Sequence, residues 1–225
     1  ARWQSLNGPW QFVPAREGQP PPVDHPLPGQ ILVPFPVESA LSGVMRHYDR
    51  LWYRRAFRIP AAWKDQRVLL HFGAVDWQAE VWINGQSFGT HRGGYDPFTF
   101  DITNALRAAG DQELIVHVFD PTDQGDQPRG KQSLKPKGTY YTPTTGIWQS
   151  VWLEPVGPVH IERLHLVPDI DAHCLRVTVE SVGANQDHTV QVVARAGAEE
   201  VGQAFGGVGA EIRLDLPADK LRLWS

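Results

Sequence analysis

Three aspartates, Asp120, Asp123 and Asp126, lie close together in a stretch rich in proline and glycine. Paired carboxylates can share the acid and base roles of a hydrolysis, and several oxygen ligands together suit Ca²⁺. The spacing matches no calcium-binding loop, however, and the composition is that of a surface loop. We therefore expect a solvated acidic segment and assign no catalytic residue to it.

The other reactive side chains form no pattern typical of a cofactor or metal site. A phosphate-binding loop, a dinucleotide fingerprint and a nucleophilic-serine motif are all missing from the sequence. The nine histidines lack ligand spacing, and His71 and His117 fall in strand-like runs, where packed or half-exposed side chains are expected. Cys174 is the only cysteine, which excludes an internal disulfide and predicts a small buried side chain. We expect neither a cofactor nor a metal.

Charge and hydropathy exclude two classes of partner. The formal net charge of −4 comes without a basic cluster, so nucleic acid and anionic membrane are not expected as ligands. No apolar run reaches the roughly 18 residues of a membrane span. The opening residues lack a signal-peptide pattern, which leaves cytoplasmic and secreted locations both open.

Nine tryptophans and nineteen prolines are the informative part of the composition. Indole rings offer a flat apolar face with a polar edge, which suits sugar rings. A place in the core is nevertheless the more common role for any single tryptophan. The prolines mark turns and strand ends, as expected of an all-β protein with long loops.

The elements that would position these residues centre on the stretch 72–103. Trp77, Ala79, Val81 and Ile83 alternate with polar neighbours, which predicts a strand with these four residues on its core face. Asn84-Gly85 then predicts a tight hairpin, because both central positions of such a turn need positive φ.

Alternation and turn signals predict the remaining elements. We expect a first strand over 3–13, a strand over 51–59 and a short helix over 101–109 capped by Thr103 or Asp101. We also expect a long loop over 120–143, which has few apolar residues to hold it and should be more mobile than the flanking strands. Beyond a boundary near Gly157-Pro158, five shorter strands are expected over the residues 160–167, 175–180, 189–195, 200–204 and 211–216.

Five segments, in order, resemble glycoside hydrolase family 2, which includes β-galactosidases, β-glucuronidases and β-mannosidases. They are SLNGPWQF (5–12), VPFPVE (33–38), LWYRRAFRIP (51–60), WINGQSFGTHRGGYDPFTFDIT (82–103) and TGIWQSVWLEP (145–155). The resemblance implies an all-β chain: a jelly-roll, galactose-binding-like sandwich over 1–157, then an incomplete immunoglobulin-like sandwich over 158–225. The closing LRLWS (221–225) resembles the family's link into two further strands, whose absence would leave Val177, Val179 and Val192 without cover.

The resemblance also implies where sugar is bound. In the family, loops of the first domain touch the sugar in the terminal subsite, and the matching segments here are 37–49 and 129–145. Their candidate substrate-binding residues are Glu38, Arg129, Lys131, Tyr140 and Tyr141. Several relatives carry an aspartate where Tyr140 or Tyr141 stands, so aromatic stacking replaces a polar contact in this expectation.

The function implied is that of the non-catalytic N-terminal part of a glycosidase. It would position a catalytic barrel in the same polypeptide, which supplies two glutamates, and shape the pocket for a terminal β-linked sugar. The parent reaction would be hydrolysis of the glycosidic bond with retention. Two alternatives stay open, a free-standing lectin-like module and a structural sandwich for protein contacts, and so does a homo-oligomer.

Overall fold

The computed structural model describes residues 2–221, so residues 222–225 of the LRLWS segment lie outside the described part. Four short 3₁₀ turns are the only helical elements of that part: Ala40–Ser42, Ala61–Trp63, Thr103–Ala105 and Ala218–Lys220. The strands are β1 (Gln4–Ser5), β2 (Gly8–Pro14), β3 (Gly29–Val33), β4 (Arg50–Phe57), β5 (Arg67–Phe72), β6 (Val75–Asp76), β7 (Gln78–Ile83), β8 (Gln86–Arg92), β9 (Phe98–Asp101), β10 (Gln112–Phe119), β11 (Gly146–Ile147), β12 (Val151–Val156), β13 (His160–Asp169), β14 (Cys174–Val182), β15 (Thr189–Ala196), β16 (Glu199–Gly207) and β17 (Glu211–Asp215).

The chain divides between Pro155 and Val156 into two compact units. The first unit contains a six-stranded sheet in the order β3-β2-β4-β10-β7-β8, a four-stranded sheet in the order β1-β12-β5-β9, and the small pair β11-β6. The main core draws apolar residues from both larger sheets, including Tyr53, Leu70, Val116 and Leu153, each fully buried. The expectation of an all-β jelly-roll sandwich in this part of the chain is confirmed.

The first strand differs from the expectation of a single strand over residues 3–13. β1 pairs with β12 in the four-stranded sheet, whereas β2 pairs with β3 and β4 in the six-stranded sheet. The chain changes sheet between Ser5 and Gly8, and Gly8 adopts a φ of 118°, which a side chain would resist. Alternation alone cannot show such a crossing, because both halves keep the period of two.

The predicted hairpin is confirmed. β7 pairs with β8 across Asn84-Gly85, whose φ values of 49° and 83° are those of a turn with two left-handed residues. Ala79, Val81 and Ile83 are completely buried, but Trp77 is only half-buried. Trp77 lies before the first residue of β7, so the core face of the strand begins at Ala79, two residues later than predicted.

The helix predicted over residues 101–109 is wrong, and the structure has only the 3₁₀ turn Thr103–Ala105. Side chains occupy the backbone groups that a helix would use: Asn84 Nδ2 donates to the carbonyl of Ala105, and Gln112 Oε1 accepts from the N–H of Arg107. The predicted cap is also wrong: Ile102 is the N-cap of the turn and makes no side-chain cap bond, while Asp101 Oδ1 accepts from the N–H of Thr103. Contacts distant in sequence therefore stop the helix after one turn.

The second unit has the five strands predicted from the sequence. They form a three-stranded sheet in the order β13-β14-β17 and a two-stranded sheet, β15-β16, all paired antiparallel. Cys174 is buried, as expected, together with Val177, Val179, Ile212 and Leu214 on the neighbouring strands. The second part of the chain is thus a smaller β-sandwich.

The apolar face left uncovered in the second unit is not the one predicted. Val177 and Val179 are buried and Val192 is half-buried. The exposed side chains lie on β13, where Leu164 and Leu166 sit opposite Val179 and Val177. Opposite residues share a face of the sheet, so the inner face is covered over β14 and open over β13.

Candidate functional site

Two loops of the first unit meet through the side chain of Glu38, in the segment that follows β3. Its Oε2 accepts a hydrogen bond of 3.0 Å from the N–H of Thr145, at the end of the long loop that follows β10. Its Oε1 lies 2.7 Å from His47 Nδ1, and His47 Nε2 lies 2.8 Å from Asp49 Oδ1. Glu38 therefore fastens residues that are far apart in sequence.

Two aspartates are buried beside this junction. Asp120 Oδ2 accepts from the hydroxyl of Thr145 at 2.8 Å, and Asp120 Oδ1 accepts from the N–H of Thr122 at 2.7 Å. Asp76 Oδ2, on β6, accepts from Gln132 Nε2 at 2.7 Å. The expectation of a solvated acidic segment is therefore wrong for Asp120, whose exposure is 2%. Buried carboxylates need such partners, because an unpaired charge in the interior costs several kcal/mol.

Burial changes the acidity of this group of side chains. It raises the pKa of Asp76 to about 7, with a further contribution from the nearby charge of Asp120. It also raises the pKa of Asp120. The hydrogen bond to Glu38 raises the pKa of His47 despite partial burial. A carboxylate at each ring nitrogen favours the charged form of His47.

Two glycines allow the backbone to approach these groups closely. A Cβ on Gly94 would overlap the carboxyl of Asp76, and a Cβ on Gly146 would overlap the hydroxyl of Tyr53. Gly146 also has a φ of 97°. The corner at Gly93-Gly94 thus needs glycine for space around a buried carboxylate as well as for its turn.

The long loop is held by more contacts than expected. Asp123 Oδ2 accepts from the hydroxyl of Ser133 and from the N–H of Leu134, and the carbonyl of Asp123 accepts from Arg129. Gln132 Oε1 accepts from the N–H of Thr144 at 2.6 Å. Asp123 therefore accepts hydrogen bonds that hold two parts of the loop together.

The predicted site residues differ in their availability. Glu38 has 11% of its side chain exposed and both oxygens engaged. Arg129 is half-buried with Nη1 engaged, and the side chains of Lys131, Tyr140 and Tyr141 are exposed. The N–H of Tyr141 donates to the carbonyl of Lys131 at 2.8 Å, which brings those two residues together. The structure thus places four of the candidates on the long loop and Glu38 at the junction that anchors its end.

Sequence reasoning missed Asp76, Gln132 and Thr145 as members of this arrangement. In the sequence, Asp76 is an ordinary polar residue just before the strand β7, and Gln132 lies in a loop without periodicity. A carboxylate just before a buried strand and a Gly-Gly corner nearby were the available signals. They could not show that the two segments meet.

Two other kinds of functional feature are absent from the described residues. Within residues 2–221, no group of three or more His, Cys, Asp or Glu side chains is arranged to hold a metal ion. No helix in that range is long and apolar enough to cross a membrane.

Comparison with known proteins finds matches to a single family of sugar-processing enzymes. Residues 19–153 match the sequence model described as "Glycosyl hydrolases family 2, sugar binding domain". A β-galactosidase from Thermoanaerobacter pseudethanolicus is 34% identical over 120 residues, which are 52% of this chain and 15% of that protein. A β-glucuronidase from Formosa agariphila is 35% identical over 112 residues, which are 49% of this chain and 11% of that protein.

A solved structure shows the same fold over almost the whole chain. The β-glucuronidase of Faecalibacterium prausnitzii superposes with a TM-score of 0.75 and 26% identity, covering 99% of this chain and 41% of that one. The present chain therefore spans less than half the length of each of these three proteins.

Proposed function

The chain belongs to glycosyl hydrolase family 2, and from this premise we propose that it is the non-catalytic N-terminal part of a longer glycosidase. The parent reaction in this proposal is hydrolysis of a terminal β-linked sugar with retention. A retaining enzyme uses two carboxyl groups, one as acid and base and one as nucleophile. The proposal assigns both to a catalytic barrel downstream of residue 225, and none to the described residues.

The two parts of the chain have different roles in this proposal. Residues 1–157 form the sugar-binding domain, and residues 158–225 belong to an immunoglobulin-like domain between it and the barrel. The family match over 19–153 supports the first assignment. The five antiparallel strands of β13–β17 in two sheets support the second.

The observation that carries the proposed site is the buried carboxylate network under the long loop. The base of the loop is fixed at two points. Gln132 is bonded to Asp76, and Thr145 is bonded to Glu38 and Asp120. A binding loop needs such support, because side chains that move by an ångström lose much of their contribution to catalysis.

Substrate contact is assigned to the exposed members of the loop. Tyr140 and Tyr141 are 52% and 63% exposed and can stack on a sugar face. Arg129 and Lys131 can pair with a carboxylate on the sugar or on the barrel. Glu38 acts as a positioning residue, because both of its oxygens are already engaged.

The test is made on the full polypeptide encoded by the gene. We expect hydrolysis of a chromogenic aryl β-glycoside, and a double variant Y140A/Y141A should raise KM about tenfold with a smaller change in kcat, because lost stacking weakens ground-state and transition-state binding alike. F205A is the matched control, since Phe205 is an exposed aromatic side chain (59%) of the second unit. An unchanged KM, or an equal loss in F205A, would contradict the assigned loop.

The alternatives make different predictions. A free-standing lectin would bind sugar as the 225-residue chain without any downstream catalytic sequence, and a structural sandwich would bind none. For the 225-residue chain we expect no hydrolysis of aryl β-glycosides by a sample free of contaminating activity. Turnover that scales with the purified chain would overturn the non-catalytic assignment. Sequencing the gene beyond residue 225 decides between the glycosidase and the lectin by the presence or absence of a barrel with two glutamates.

A further inference from the structure

A second aromatic surface lies on the outer face of the four-stranded sheet, apart from the loop described above. Trp3 is 60% exposed, and among residues 2–221 it is the one tryptophan with an exposed side chain. Ser5 pairs with Trp152 across β1 and β12, while Leu153, the next residue, is buried in the core. Because side chains alternate across a strand, Trp3, Ser5, Trp152 and Glu154 all face outward.

These residues line an open groove of about 420 Å³ together with Asn7 and Ser150. Trp3 lies one residue before β1, and the pairing of Ser5 with Trp152 places it diagonally from Trp152, as residues about 7–8 Å apart are. Behind Trp152 lies His71, stacked on the indole at 4.9 Å between ring centroids and nearly parallel to it. His71 thus fixes the orientation of the Trp152 indole, while the Trp3 indole is exposed at the rim of the groove.

The rim of the groove carries hydrogen-bonding groups. Asn7 Nδ2 donates to the hydroxyl of Ser150, and Asn7 Oδ1 accepts from the N–H of Val151. The carboxylate of Glu154 is about half exposed, and its Oε2 lies 3.2 Å from His71 Nε2. Burial lowers the pKa of His71, which favours the uncharged imidazole and weakens its pairing with the charge of Glu154.

We propose that this face is a second carbohydrate-binding surface, which takes a neutral β-linked oligosaccharide across Trp3 and Trp152. Indole faces accept the apolar faces of sugar rings, and Glu154, Ser150 and Asn7 supply partners for hydroxyl groups. The half-exposed carboxylate of Glu154 disfavours a uronic acid, in contrast to the loop that carries Arg129 and Lys131. The surface shares only its ligand class with the proposed function and needs no barrel.

A protein partner fits this surface less well. A stable protein interface buries about 800 Å² on each side around an apolar core. Here the two indoles are surrounded by Ser5, Asn7, Ser150 and Glu154, which are small or polar. Thr99 and Asp101, on β9, are exposed at the other edge of the same sheet.

The test is affinity gel electrophoresis of the 225-residue chain in gels that contain a neutral β-glucan, a neutral β-galactan or a polygalacturonate. We expect retardation by at least one neutral polysaccharide and none by the polyuronate. W3A should weaken binding about tenfold, the effect of losing one aromatic contact of about 1.4 kcal/mol. Trp3 is exposed, so W3A should keep the wild-type melting curve, and E154Q should relax the discrimination against the polyuronate.

Each other outcome overturns the proposal. Retardation that survives W3A but is lost in Y140A/Y141A assigns the binding to the loop, which leaves the proposed function standing and removes this surface. No retardation by any neutral polysaccharide removes it as well. A dimer in sedimentation that W3A dissociates would show that the face is covered by a second copy of the chain.

Discussion

The strands β10 and β13 have similar lengths but very different surroundings. In β10, every residue from Gln112 to Val116 is buried, because the strand has a paired neighbour on each side and is covered on both faces, by the main core on one and by Leu27 and Trp52 on the other. In β13, the residues between the two ends are all exposed, including Leu164 and Leu166. Among residues 2–221, β13 pairs with β14 alone. Alternation in the sequence shows which residues share a face, but the facing sheet decides whether that face is buried.

The largest expected effect tests burial in the first unit. V81D places a carboxylate in the core face of β7, where Val81 is completely buried, and should lower the free energy of unfolding by several kcal/mol. L164D makes a comparable apolar-to-charged change on β13, where the side chain is 49% exposed, and should cost much less. Thermal unfolding followed by circular dichroism compares the two, and equal losses would show that β13 is covered as well as β7.

The next comparison is between the stability losses of two glycine-to-alanine variants, one in each unit. G146A should cost roughly 3 kcal/mol, because the residue has a positive φ and its Cβ would overlap the hydroxyl of Tyr53. G207A, in the second unit, adds a Cβ where no atom lies within 4 Å and should change stability by less than about 0.5 kcal/mol. Urea unfolding of both variants checks the pair, and a stable G146A would mean that the loop end is not packed against Tyr53.

The buried carboxylates of the first unit should make its stability depend on pH. The folded protein holds the Asp76 proton up to a pKa of about 7, whereas the unfolded chain releases it near the ordinary value of 3.8. Stability from this group is therefore complete below about pH 4 and is lost as the pH rises through 7. From pH 5 to 8 the loss should be about 2–3 kcal/mol. The raised pKa of His47 acts in the same direction above pH 6.5.

The substitution D76N should remove the larger part of this slope, since an amide does not titrate. Unfolding free energies in urea at pH 5 and pH 8 measure it, with D126N as the matched control on an exposed residue of the long loop. A slope unchanged in D76N would show that Asp76 is ionised in the folded protein at pH 5.

The smallest expected difference is local. Amides of β13 should exchange faster than those of β14, because β14 has β13 on one side and β17 on the other. Both should exchange faster than β10, at the centre of the six-stranded sheet. Hydrogen exchange by mass spectrometry on the whole chain gives the order, and protection of β13 equal to that of β10 would reveal a partner on its open edge.

The sequence predicted the elements that depend on local rules. The hairpin at Asn84-Gly85 and the five strands of the second unit follow from turn chemistry and alternation, which involve neighbours along the chain. The crossing between β1 and β2 was missed, because both strands satisfy the same alternation. The helix after Asp101 was wrong, because Asn84 and Gln112 hold the backbone from a distance.

The candidate site was predictable only at the level of segments. The loops that contain Glu38 and Arg129 came from the family resemblance, and the structure brings the ends of both to Thr145. The burial of Asp76 and Asp120 could not be foreseen, because the groups that surround them come from residues near 38, 94, 132 and 145. The composition of the loop predicted that Asp120 is exposed to solvent, whereas the fold buries its side chain.

The Gln132 side chain has a consequence for how this scaffold can diversify. It donates to Asp76 in the sandwich and accepts from the N–H of Thr144, so one residue closes the segment 133–143 at its base. Length and sequence within that segment can change while both attachments remain, because loop insertions cost little once the ends are fixed. The tip with Tyr140 and Tyr141 is in this sense an exchangeable cassette. New sugar preferences could be acquired there, by evolution or by grafting, without redesign of the sheets beneath.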